Sequence, residues 1–309
     1  MELWAITPEL TLATGFLLPL AWAPFVDPQK SFRLYLAAVA ILAAATILTL
    51  RMLPWRNQSV FHGTYVLDPL AHFMKLYALA ARDFALPPCA AYFRATTFRP
   101  DIPALLVSAA LGGAMMAGSA DLALVILFFY IVTVSTLIFV GVIKQDDRGN
   151  GAALKYFLYG AVATAIMLYG VSFLYGLSGT CSLVSAARDG KPMLAFALML
   201  ALVGFGFKMA IAPFHMWAPD VYEGSPTPIA GYLSVMPKAA AIVVVLRLLH
   251  GAFSPITESW QSVFAIMAGL TMTVGNILAF GQTNMKRLLA YASIAQIGYI
   301  LAAIAISGV

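Results

Sequence analysis

Two lysines stand where lysine is expensive. Lys208 follows the apolar run 193–207, and Lys238 sits inside the apolar run 229–249. On insertion scales a lysine at mid-membrane costs roughly 2.5–3.5 kcal/mol, so its presence marks a site. Each lysine also lies near a proline. Pro213 cannot donate to the carbonyl of Met209, and Pro237 cannot donate to that of Leu233. Breaks in a helix at membrane depth are tolerated only where protein or water satisfies the freed groups. An ionisable amine beside each of two helix breaks predicts part of an ion path. The alternative is a pair of lysines that snorkel to an interface along their apolar stems.

Few other residues suggest chemistry. The four histidines, His62, His72, His215 and His250, are far apart and have no metal-ligand spacing. Cys89 and Cys181 show no CxxC pattern and read as small buried fillers. No GxGxxG after a strand, no GxxxxGK[ST] and no HExxH occurs. No catalytic set and no metal site is therefore assigned, and the chain is expected to bind no flavin, haem, iron–sulfur cluster or nucleotide.

The elements that must carry the two lysines are membrane helices. Hydrophobic residues make up 62% of the chain, charged residues 10%, and the mean hydropathy is +0.89. A soluble domain is about 25% charged. The net charge of +5 follows from basic loops on one membrane face. The basic residues form no run of the kind that binds nucleic acid. The N-terminus lacks a basic n-region, so the first apolar stretch is expected to be a retained helix.

Ten spans are predicted, over 9–24, 33–53, 66–86, 102–118, 122–143, 154–177, 193–217, 228–249, 262–280 and 288–307. The third is doubtful, because Asp68, His72, Lys75, Arg82 and Asp83 fall within it. Beta barrels are excluded by apolar runs that do not alternate. Odd-numbered loops with their adjoining span ends hold ten basic residues and even-numbered ones five, which places odd loops in the cytoplasm and the N-terminus outside. Thr227-Pro228 predicts an N-cap followed by proline at the first helical position. Gly149-Asn150-Gly151 predicts a turn between the fifth and sixth spans. Ala114 and Gly118 form a small-xxx-small pair that would let helices approach.

The stretch Phe207-Lys208-Met-Ala-Ile-Ala-Pro213-Phe-His215-Met-Trp217-Ala-Pro-Asp220-Val-Tyr222-Glu223-Gly-Ser-Pro-Thr-Pro closely resembles subunit N of bacterial NADH–quinone oxidoreductase, respiratory complex I, and its mitochondrial counterpart, subunit 2. Gln282-Thr-Asn-Met-Lys286-Arg287-Leu-Leu-Ala-Tyr291-Ala-Ser293, Ala153-Leu-Lys155-Tyr156-Phe and Val66-Leu-Asp68-Pro-Leu-Ala-His-Phe-Met74-Lys75 resemble the same family. The resemblance covers nearly the whole chain. It implies an all-α, antiporter-like transmembrane bundle with a broken seventh helix, built from inverted five-helix repeats. On that plan 1–309 is one transmembrane domain. Its N-terminal helices are 1–101, its antiporter-like five-helix repeat is 102–250, and 251–309 begins a second repeat.

The resemblance further implies proton translocation through buried lysines and a glutamate, driven from a distant redox arm. Lys208 is similar to the central lysine and Lys238 to the bridging one. Lys155 resembles a loop-side basic residue outside the relay. NADH, quinone, flavin and iron–sulfur clusters would belong to partner subunits. The other partners would be further membrane subunits and the lipid of a bacterial inner membrane.

Three departures from the pattern stand out. Tyr130 occupies the place of the family's fifth-span glutamate; it could accept a hydrogen bond from the lysine but could not stabilise its charge as a carboxylate would. Gln296 replaces a histidine of the tenth span. The sequence runs to Val309, short of the second broken helix and its lysine, so half of the family's path is expected to be absent unless another chain supplies it.

Three functions follow: a pumping membrane subunit with a path through Lys208, Lys238, His215 and Tyr130, a structural remnant of that subunit, and a cation/proton antiporter or hydrogenase membrane subunit. His215 would line the cytoplasmic end of the seventh span or cap carbonyls freed there. Asp220 and Glu223 fall in a loop without basic residues and are expected to order a turn or meet a partner. Asp68 and Lys75, seven apart, would pair only through an intermediary.

Overall fold

The computed structural model describes residues 6–22, 43–51, 57–96, 101–183 and 191–307, with the single positions 25 and 40. Ten helices are delimited there: α1 (Thr7–Trp22), α2 (Pro69–Ala95), α3 (Ile102–Gly118), α4 (Leu122–Val140), α5 (Asp147–Ser178), α6 (Lys191–Met209), α7 (Trp217–Gly224), α8 (Thr227–His250), α9 (Thr257–Phe280) and α10 (Met285–Ile306). Residues 43–51 are also helical; the rest of the predicted second span lies almost wholly outside the described residues. Five of the basic residues counted for orientation, Lys30, Arg33, Arg56, Arg99 and Arg188, also lie outside the described residues. Six helical segments are long and apolar enough to cross a membrane, within 122–140, 147–178, 192–209, 227–250, 254–280 and 285–306. This is a polytopic membrane protein.

The chain forms two compact units. One comprises Met1–Ile143 with Gly231–Ala240, and the other Lys144–Ala230 with Ala241–Val309. In the first unit, α3 packs against α1, α2 and α4. Its sequence, IPALLVSAALGGAMMAG, has no polar stripe, and nearly all of it is buried, as expected for a helix surrounded by others. A Cβ at Gly113 would lie 2.2 Å from the Met236 methyl, so a larger residue there would displace that side chain. Asp68 caps α2 by accepting from the Ala71 amide at 2.7 Å, with Pro69 at the first helical position. Asp121 caps α4 in the same way, through the amides of Ala123 and Leu124.

The third predicted span is a real helix, but it starts at Pro69 and not at Val66. Its would-be first residues form a hairpin, β1 (Gln58–Val60) with β2 (Tyr65–Leu67), paired Gln58 to Leu67 and Val60 to Tyr65. That hairpin is the departure from an all-α fold among the described residues.

In the second unit, α5 packs on α6, α9 on α10, and α7 on both α5 and α10. Gly275 lets α9 and α10 touch: a Cβ there would lie 2.6 Å from the Ala295 amide nitrogen. Three local expectations are corrected. Gly149-Asn150-Gly151 is inside α5, which Asp146 caps through the Arg148 amide, so the turn falls before it. Helix α8 begins at Thr227 itself, with Pro226 preceding it and no side-chain cap. Pro237 lies inside α8 without ending it. A membrane helix loses one backbone bond to proline, but with no water to satisfy an unwound segment the helix remains the better state.

Candidate functional site

Helix α6 stops one residue after Lys208, and the chain runs irregularly from Ala210 to Met216 before α7. The stop is a Schellman closure. The Ala210 amide donates to the Phe207 carbonyl at 3.0 Å, and the Ile211 amide to the Gly206 carbonyl at 2.9 Å. Ala210 takes φ +59°, the left-handed position usually given to glycine. For a residue with a Cβ that conformation costs about 1 kcal/mol. Ala210→Gly is therefore expected to leave the melting temperature of the detergent-solubilised protein unchanged or higher, and Ala210→Val to lower it; the reverse order would show that the turn is unstrained.

The freed backbone groups at the break find partners. The Ala212 amide donates to Thr271 Oγ1 of α9 at 3.2 Å. The Trp217 indole Nε1 donates to the Phe207 carbonyl at 2.9 Å. The break is thus closed by protein groups, as membrane depth requires. Both Thr271 and Trp217 are buried.

Lys208 is 1% exposed, and its Nζ donates to the Tyr156 hydroxyl of α5 at 3.0 Å. The same ammonium lies 5.6 Å from the centre of the Tyr156 ring. That ring packs 5.5 Å from Phe207 and 4.8 Å from Trp217, centre to centre, so two aromatic neighbours fix the position of the hydroxyl that the amine meets. Beyond it, Tyr222 of α7 is buried against Ser293 of α10 and feels Tyr156. His215 lies in the break, buried, and its Nδ1 has no hydrogen-bond partner among the described residues.

Four residues were expected in a path. Lys208 and His215 share the second unit. Lys238 and Tyr130 belong to the first: Lys238 is 2% exposed on α8, whereas Tyr130 is 42% exposed on α4. The hydroxyl bonded to Lys208 is that of Tyr156. Sequence reasoning quoted Tyr156 without giving it a role, although a polar-tipped aromatic one position after Lys155, at the head of an apolar span, was a usable signal.

Asp220 and Glu223 do not lie in a loop lacking cations. They are on α7 and meet Arg287: its Nη1 donates to Asp220 Oδ1 at 2.6 Å and to Glu223 Oε2 at 2.9 Å. Lys155 Nζ reaches Asp220 Oδ2 at 2.5 Å. Asn284 caps α10 and also donates to Glu223 Oε1 at 3.1 Å. Lys286 Nζ donates to the Ser225 carbonyl at 2.7 Å. The network ties α7, the piece after the break, to α5 and α10.

Burial alone would raise the Asp220 carboxyl, but hydrogen bonds and charge from Lys155 and Arg287 outweigh it and hold the group below its ordinary 3.8. A carboxylate lowered on folding stabilises the fold above the unfolded value and loses that contribution as pH falls through the folded one. The melting temperature is therefore expected to drop below about pH 4, and the acid-side drop to shrink in Asp220→Asn. An identical acid profile in that variant would remove Asp220 from the account.

A family profile described as "NADH:quinone oxidoreductase/Mrp antiporter, TM" matches residues 119–309. The chain belongs to that family. As a member of the NADH:quinone oxidoreductase/Mrp antiporter family it is 37% identical over 308 residues to NAD(P)H-quinone oxidoreductase subunit 2 of Picosynechococcus sp., covering 96% of this chain and 58% of that protein. It is 41% identical over 249 residues to NADH-quinone oxidoreductase subunit N of Heliobacterium modesticaldum, covering 79% of this chain and 53% of the relative. A chain of respiratory complex I from Thermus thermophilus, solved with bound aureothin, superposes with a TM-score of 0.83 at 32% identity, over 98% of this chain and 65% of that one. The chain thus spans a little over half the length of the curated relatives it matches.

Proposed function

We propose that the chain is a membrane subunit of a proton-translocating NADH–quinone oxidoreductase, contributing a lysine-based proton path and no redox centre of its own. The observation that carries this reading is Lys208: a buried amine one residue before a helix break, bonded to a hydroxyl whose ring is held by two aromatic neighbours. Such an amine can hold a proton and pass it on. As ammonium it donates to Tyr156 Oη; as neutral amine it accepts from that hydroxyl, so Tyr156 can orient either state. Lys238, equally buried, is the second protonatable amine of the path, and His215 in the break is a third titratable group. Tyr130 is the neutral occupant of the family's carboxylate position. The electron donor, quinone, flavin and iron–sulfur clusters belong to partner subunits, and the partners in contact are other membrane subunits and lipid. The chain sits in a bacterial inner membrane with its N-terminus outside.

The family also contains Mrp antiporters, which makes cation/proton exchange the second reading. Sealed vesicles carrying the assembled protein and a pH-sensitive dye separate the two. Acidification that needs electron donor and quinone supports the proposal. Acidification or alkalinisation on a sodium pulse, with no donor present, favours the antiporter.

A further inference from the structure

The first unit holds a second cluster of titratable groups that the Lys208 site does not use. Glu9, in the first turn of α1, forms an ion pair with Lys75 of α2. Both are interior, Glu9 at 3% and Lys75 at 2% exposure. The Tyr65 hydroxyl of β2 donates to the same carboxylate oxygen, Oε1, at 2.9 Å, and the Lys75 ammonium lies 5.5 Å from the Tyr65 ring centre. The Tyr65 ring occupies space left by Gly118, where a Cβ would come within 2.4 Å of it. Backbone pairing of Tyr65 with Ser119 holds the hairpin against the end of α3.

The other carboxylate oxygen, Glu9 Oε2, is buried with no hydrogen-bond partner among the described residues. The carboxylate therefore has a lone pair to spare for a proton.

Asp68, His72 and Lys75 are spaced four and three residues apart on α2, so they line one face of its first two turns. His72 is buried and feels the charges of Lys75, Glu9 and Asp68. Its position between Asp68 and Lys75 on that face is where an intermediary for the two would stand. Asp68 caps the helix end. The remaining packed element, α3, contributes no titratable group within Ile102–Gly118.

Charge pairs in a dry interior are seldom kept for stability, since apolar residues of equal volume do as well or better. We propose that Glu9 and Lys75 form a second proton-exchange site, fed along Asp68 and His72 from the end of α2. In the step, a proton leaves Lys75 Nζ and binds Glu9, converting ammonium and carboxylate into amine and carboxylic acid. A proton arriving through His72 then restores the ammonium, and the acid releases its own. Net charge in the site never exceeds one, and no redox partner is needed.

The inference rests on the proton-translocating reading, and the experiment keeps the two apart. Donor-driven acidification by the assembled complex in vesicles is measured for the unaltered protein, Lys208→Met, and the double variant Glu9→Gln/Lys75→Met. Loss in Lys208→Met tests the first site alone. The double variant removes both charges together, so it should assemble, and its rate of donor-driven proton translocation should fall by roughly tenfold. Normal translocation in an assembled double variant overturns the exchange site and leaves the pair structural. Should the double variant not assemble, infrared difference spectra between acid and alkaline pH decide the matter in Tyr65→Phe, which removes one hydroxyl only. A protonated-carboxyl band shifted by that change supports the site. A spectrum without a band sensitive to Tyr65 overturns it.

Discussion

Lys208→Met should cut donor-driven proton translocation by about a hundredfold, the lower end for loss of a positioned acid–base group, while the protein still assembles. Methionine keeps the length and apolar stem of lysine, and it removes an amine whose burial is costly, so the fold is not the casualty. Tyr156→Phe should be milder. It deletes only the hydroxyl, leaves the ring against Phe207 and Trp217, and removes one hydrogen bond to a charged group, worth about 1.5–3 kcal/mol. If the phenylalanine variant lost more transport than the methionine variant, the amine would not be the proton holder.

Arg287→Ala is the largest structural change expected. One guanidinium serves Asp220, Glu223 and, through Nε, the Gln282 side chain at 3.2 Å. Its loss leaves two half-buried carboxylates facing each other's charge, with Lys155 on one of them alone. A cost of about 1–3 kcal/mol fits their partial exposure. The thermal midpoint should fall at neutral pH, and the gap from the unaltered protein should narrow in acid, where the carboxylates are protonated. Arg287→Lys should recover only part of the loss, because an ammonium cannot span the same three acceptors. A midpoint equal to that of the unaltered protein would reduce the network to surface decoration.

Much of this was legible in sequence because the physics was local. A lysine at the end of an apolar run and a proline five residues on predicted a break within the span 193–217; the helix itself stops earlier than that span, at Met209. Charge scarcity and run length predicted the membrane class. The rest depended on partners far away in the chain. Thr271 lies 59 residues from Ala212, and Arg287 lies 67 from Asp220, so neither local pattern nor spacing pointed to them. The hairpin before α2 was hidden because its strands are three residues each and sit against an apolar span. Pro237 misled for a different reason: a proline reports the loss of one donor, and the surroundings decide whether the helix gives way. Glu9 passed unnoticed because an acid in the first turn of a helix is ordinarily a favourable dipole partner.

The account stands on two protonatable amines enclosed by protein. The most direct measurement is the reaction of each lysine with a bulky, membrane-impermeant amine reagent applied from both sides, read by peptide mass, with exposed Lys144 as internal standard. Lys144 should be modified to completion while Lys208 and Lys238 stay unmodified until the protein is unfolded. Modification of Lys208 and Lys238 at the rate of Lys144 in the folded protein would contradict it.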